Sequence, residues 1–141
     1  MSTKLFTKEI MVADENAETV RRGYEAFNSA GMKTLTEIFD ESASWHTPGR
    51  GSLAGDHKGR EATFAYFGRL AAETAGTFKA TLRHLLKSDD GRVVGVHHNT
   101  AERDGKNLDV GCCIVFEFKD GRIIDGQEHF DDLYAWDEFW S

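Results

Sequence analysis

Three Asp-Gly pairs, Asp90-Gly91, Asp104-Gly105 and Asp120-Gly121, separate four runs of ten or more residues in the second half of the chain. Asp-Gly favours the tight two-residue hairpin, in which both turn residues need positive φ. Residues 77–89, 92–103, 106–119 and 122–131 are therefore expected to form an antiparallel meander. Two-residue loops also fix the register, setting Asp89 opposite Arg92, Arg103 opposite Lys106 and Lys119 opposite Arg122. In the first strand Phe78, Ala80, Leu82, His84 and Leu86 share one face while Lys79, Arg83 and Lys87 take the other, so the first face points inward. Carried across the turns, this turns Leu108, Val110, Cys112, Ile114, Phe116 and Phe118 inward, a wholly apolar set that agrees independently.

The register predicts that His84, His97, Cys112 and His129 form one inward cross-strand row, with Leu82, Asn99, Val110 and Asp131 in the next. Buried imidazoles and carboxylates are costly unless each has a partner or water. Such a row fits a wet ligand cavity, or else a fully satisfied polar network in the core.

Ahead of the meander, Val20, Tyr24 and Phe27 recur at helical spacing between Asn16 and Ala30, with Gly31 placed as a stop. Residues 33–39 and 61–74 repeat the signal, the latter through Phe64, Phe67 and Ala71. Residues 1–14 read as an N-terminal extension and 15–141 as one domain. Between the helices, SASWHTPG places Trp45 and Thr47 on one side of an extended segment and His46 on the other; the glycine-rich GRGSLAGDHKG after it is a loop with room for one short strand. The aromatic segment Leu133 to Trp140 is expected to close the wide end of the sheet.

With 24 acidic against 17 basic residues and no Lys/Arg cluster, the chain lacks the electrostatic footprint for nucleic acid or an anionic membrane. Its apolar runs are too short to span a bilayer and MSTKLFTKEIMVADENAE has no signal-peptide core, so a cytoplasmic protein is expected. The adjacent Cys112 and Cys113 would point to opposite faces of a strand, which argues against a disulfide between them. His84, His97, His129 and Cys112 could together hold zinc, yet no metal-binding spacing motif is present, and neither a metal nor a cofactor is expected. On the outer face Val94, Val96, Cys113, Val115 and Phe130 form an apolar patch that implies a symmetric homodimer through the sheet.

YEAFNSAG, ASWHTPG, LAGDHKGREA and KDGRIIDGQEHFDD, with the order of elements around them, resemble the SnoaL-like domains of the nuclear transport factor 2-like superfamily. The resemblance implies an α+β cone: a curved antiparallel sheet closed by three N-terminal helices and a short C-terminal one. In the related ketosteroid isomerases the general base corresponds to Thr47, the oxyanion-binding tyrosine to Gly23 and the second acid to the vicinity of Ile114, so that chemistry is not expected here. In SnoaL-like polyketide cyclases the base corresponds to Asp131, with His129 the nearest assistant. Capping of the last helix by an aspartate is the alternative role at that corner. The implied ligand is a small hydrophobic, polyketide- or steroid-like molecule, with Tyr24, Trp45, Thr47, Phe67, His84, His97, Asn99, Cys112 and Gln127 as its wall. The chemistry is proton abstraction in an isomerase or cyclase; the alternative is a non-catalytic ligand carrier or dimeric interaction module.

Overall fold

The computed structural model describes residues 3–141, with side chains from Lys8 onward. Helices α1 (Thr3–Ser29) and α2 (Met32–Ile38) lead into β1 (Phe39–Thr47), followed by the short edge strand β2 (Gly55–Lys58) and α3 (Arg60–Ala72). The meander β3 (Lys79–Lys87), β4 (Val93–Arg103), β5 (Lys106–Lys119) and β6 (Arg122–Phe130) comes next, and then α4 (Leu133–Phe139). The strands make one curved, unclosed sheet in the order β2-β1-β6-β5-β4-β3. This is the expected α+β cone with one difference. The sheet is mixed, because β1 runs parallel to β6, which returns beside it only after the α3 crossover and the meander.

The first helix begins at Thr3, inside the segment expected to be an extension, and buries Val20, Tyr24 and Ala26. It ends where Ala30 takes φ 57° and the Gly31 N–H reaches back to the Ala26 carbonyl at 2.7 Å. Asp132 caps α4, its carboxylate accepting from the Ala135 N–H at 3.0 Å. Trp136, Phe139 and Trp140 are buried over the open end of the sheet, with Trp136 stacked on Phe130 at 4.2 Å. Phe130 therefore belongs to the interior rather than to the outer patch.

The Asp-Gly turns fare unequally. Asp104-Gly105 and Asp120-Gly121 take positive φ at both residues, and Arg103 pairs with Lys106 and Lys119 with Arg122 as expected. The first turn is longer: Lys87 pairs with Val93, and the Asp90 carboxylate accepts from the Ser88 hydroxyl and from the Arg92 backbone N–H and guanidinium. Held by these bonds, Asp90 stays out of the left-handed region and Gly91 alone enters it, with φ 89°. A bulge at Arg83 then separates the pairs Leu82–His97 and His84–Val96. A second bulge, at Ile124, separates Phe118–Ile123 from Glu117–Asp125. Each bulge sets two residues against one and reverses the faces beyond it.

His46 lies in β1, as the extended segment implies, and His57 lies in β2. The His46 ring is clamped between strands, with Nδ1 2.7 Å from Asp56 on β2 and Nε2 2.6 Å from Asp125 on β6. Burial opposes its charge, but the bonds to the two carboxylates outweigh that and raise its pKa. A raised histidine stabilises the fold most below its unfolded pKa, and that contribution is lost as pH rises through the folded value. His46→Gln should therefore lower the melting temperature more at pH 5.5 than at pH 9. A pH-independent difference in thermal scans would show that the imidazolium does not hold β2 in place.

Candidate functional site

Two glycines let aromatic rings lie flat on the inner face of the sheet. A Cβ on Gly95 would stand 2.5 Å from the Tyr24 hydroxyl oxygen, and one on Gly126 would stand 2.3 Å from the Trp45 indole. Gly95, Ile114 and Glu128 occupy one cross-strand row, so the Tyr24 hydroxyl and the Glu128 carboxyl face each other across Ile114. Between helices and sheet lies a cavity of about 60 Å³ whose lining includes Tyr24, Trp45, Phe67, His97, Asn99 and Glu128. By volume it takes a few waters or one small ring, well below the several hundred Å³ of drug-sized ligand pockets.

On one wall the Tyr24 hydroxyl lies 2.7 Å from His97 Nδ1, and His97 Nε2 lies 2.9 Å from Asn99 Oδ1. Because the Asn99 oxygen can only accept, Nε2 carries the proton and Tyr24 donates to Nδ1. Burial pushes the His97 pKa down to about 4, against a smaller opposing effect of the Asn99 bond, so the ring is neutral at pH 7. Burial likewise holds the Tyr24 hydroxyl in its protonated form.

The other wall is built around Glu128, which is 6% exposed. Its Oε1 accepts from Trp45 Nε1 at 2.7 Å and from the Tyr66 hydroxyl at 2.9 Å, and that hydroxyl is 3.1 Å from Oε2. Burial raises its pKa to about 7, with the bonds from Trp45 and Tyr66, and to a lesser degree the nearby Thr47, pulling the other way. The Thr47 hydroxyl itself is buried without a hydrogen bond of normal geometry among the described residues. His57 stacks on the Tyr66 ring at 4.5 Å and fixes it from outside the cavity.

Of the residues expected in the wall, Tyr24, Trp45, Phe67, His97 and Asn99 line the cavity. Thr47 and Cys112 are buried behind its surface, and desolvation drives the Cys112 thiol far up in pKa, away from reactivity. His84 and Gln127 lie outside, as do the proposed pair His129 and Asp131. The Arg83 bulge turns His84 to solvent, and the Ile124 bulge sends Gln127, His129 and Asp131 to the outer face and Gly126, Glu128 and Phe130 inward. Asp131 is exposed and spends its carboxylate on the Gly111 N–H at 3.0 Å, while Asp132 serves as the helix cap. Glu128 was missed because unbroken alternation points it outward. The sequence does hold a clue: beyond Ile123, the assumed inward series Asp125, Gln127, His129, Asp131 is wholly polar. A face that polar cannot belong inside a core, and a bulge was the way to resolve it.

A curved sheet covered by α1 to α3, with a polar-spotted apolar cavity beneath, defines a cone-shaped pocket protein, and the chain belongs to the SnoaL-like domain family, whose pattern it matches over residues 20–126. An uncharacterized protein of Mycobacterium tuberculosis, Rv0034, is 34% identical over 93% of this chain and 100% of its own length. The structure of Bal32a, from a soil-derived mobile gene cassette, is similar with a TM-score of 0.92 at 77% identity, over 92% of this chain and 99% of that one. A Jannaschia protein described as a SnoaL-like polyketide cyclase shares the fold, with a TM-score of 0.74 at 19% identity over 91% and 92% of the two chains.

Proposed function

We propose that this protein is an isomerase- or cyclase-type enzyme that moves a carbon-bound proton on a small, mostly apolar cyclic substrate, with Glu128 as the acid–base group. The observation that carries the reading is a carboxyl buried in the wall of an aromatic cavity with a pKa of about 7, where a proton can be taken and returned at neutral pH. That a Jannaschia protein of the same fold is described as a SnoaL-like polyketide cyclase supports the reaction class. Across the cavity, the Tyr24–His97–Asn99 chain supplies a neutral polar surface against which a substrate oxygen can be oriented. The volume favours a monocyclic carbon acid over a whole steroid. In the same reading, the half-buried outer-face residues Val94, Val96, Cys113 and Val115 pack against a second copy.

The test is hydrogen–deuterium exchange at carbon, followed by NMR in D2O with a panel of small cyclic ketones and diketones. Exchange should be accelerated by the protein, with a rate that climbs through pH 7 as Glu128 ionises. Absence of protein-dependent exchange across the panel would leave ligand carriage as the better account.

A further inference from the structure

We propose that the ligand of this cavity is a cation, a small molecule bearing a protonated nitrogen that sits against Glu128 among the aromatic side chains of the lining. This names the substrate class for the proton-transfer reading and rests on the same site.

The bonding of Glu128 favours its ionised form. The indole Nε1–H of Trp45 can donate and has no lone pair to receive a carboxyl proton, and its 2.7 Å bond has the length of a charge-assisted one. Tyr66 adds a second donor to the same oxygen. Oε2 has only the longer 3.1 Å contact from that hydroxyl, so its acceptor capacity is the less used. An ionised carboxylate at this depth calls for a positive partner. No lysine or arginine lines the cavity among the described residues. The lining imidazole, His97, is engaged at both nitrogens and neutral near pH 7. A positive charge that meets the ionised form of Glu128 therefore arrives with the ligand.

The surrounding surface suits that charge. Trp45 stands at the centre of an aromatic group, with ring centroids 5.0 Å from Phe67, 5.8 Å from Phe116 and 6.0 Å from Phe39, and Tyr24 lies 6.3 Å beyond Phe116. Aromatic faces carry the negative part of the ring quadrupole and attract ammonium groups. An anionic ligand would meet the same faces and a carboxylate, with no counter-charge. The other titratable groups near Glu128 are Tyr66 from α3, Tyr24 from α1 and Cys112 from β5, all held protonated by burial, together with neutral His97 from β4. Between pH 5.5 and 8.5 the charge within this wall is thus set by Glu128.

Three probes of similar shape test the charge: cyclopentylammonium, cyclopentanol and cyclopentanecarboxylate, titrated into 15N-labelled protein with cavity resonances as the readout. At pH 8.5 the ammonium should bind roughly tenfold or more tighter than the alcohol, and the carboxylate should not perturb the cavity. The preference should shrink toward pH 5.5, where Glu128 takes up its proton, and vanish in Glu128→Gln. The pH series uses the natural protein alone, so the proposal remains testable if that variant folds poorly. A pH-independent preference, equal binding of alcohol and ammonium, or binding of the carboxylate overturns it, as does failure of all three to reach the cavity. Protein-dependent exchange on neutral ketones, in any of those events, would preserve the proton-transfer reading without the charge assignment.

Discussion

Replacing Glu128 by glutamine should stabilise the protein at pH 8 while abolishing most of its chemistry. The amide fills the same space and still offers an oxygen to Trp45 and Tyr66, so binding geometry is kept and only the titrating proton is lost. A carboxyl raised from 4.5 to about 7 on folding binds more protons in the native state than in the unfolded one. Its contribution is therefore intact below the unfolded pKa and is lost as pH rises through the folded one. A shift of that size corresponds to about 3 kcal/mol. Glu128→Gln should thus melt on the order of 10 °C above the natural protein at pH 8. The two should nearly coincide at pH 3.5, where native and unfolded Glu128 are both largely neutral. His97 titrates in the opposite sense, since its depressed pKa removes stability as pH falls from 6.5 toward 4, but it does so in both proteins and cancels in the difference. On the substrate found by exchange screening, turnover should drop about 10²–10⁴-fold, the usual worth of a general base. Equal melting points at pH 8 would mean that Glu128 ionises freely in the native state, and undiminished turnover would remove it from the reaction.

Gly126→Ala should be among the most damaging single-methyl additions to the sheet. The new Cβ would fall 2.3 Å from Cζ3 and 2.4 Å from Cε3 of Trp45, inside any tolerable contact. Trp45 is 3% exposed and packed against Phe39, Phe67 and Phe116, so it has no free direction in which to retreat. Overpacking of this kind costs about 1–3 kcal/mol, and displacing the indole also removes a donor from Glu128, adding about 1–2 kcal/mol. Chemical denaturation should show a lower midpoint with an unchanged slope. Trp45→Leu, made together with Gly126→Ala, should recover part of the loss. A Gly126→Ala variant within about 0.5 kcal/mol of the natural protein would mean that the ring is not held where it lies.

The parts of this architecture that depend on local chemistry were legible in the sequence. Asp104-Gly105 and Asp120-Gly121 announce their turns because few other dipeptides accept left-handed φ twice in succession, and the inward set of β5 follows from them. His97, Asn99 and Tyr24 were found this way, two by register and one by helical spacing. What escaped depends on a single extra residue in each of two strands. Arg83 and Ile124 carry no obvious bulge signature, since isoleucine and arginine occur throughout ordinary strands. Because side chains alternate with a period of two, one missed residue reverses everything beyond it. The family resemblance then reinforced the error by pointing at Asp131, whose carboxylate holds Gly111 on the far face.

The bulge at Ile124 also bears on how such proteins can change their chemistry over time. Were β6 to pair without the bulge and with every residue kept, Glu128 would leave the interior and Gln127, His129 and Asp131 would face it, with no substitution anywhere, whereas loss of Ile124 alone would keep Phe118–Ile123 and Glu117–Asp125 paired and Glu128 inside. Gain or loss of the bulge in this strand therefore exchanges the side chains offered to the cavity, and relatives that align residue for residue can still expose different groups to it.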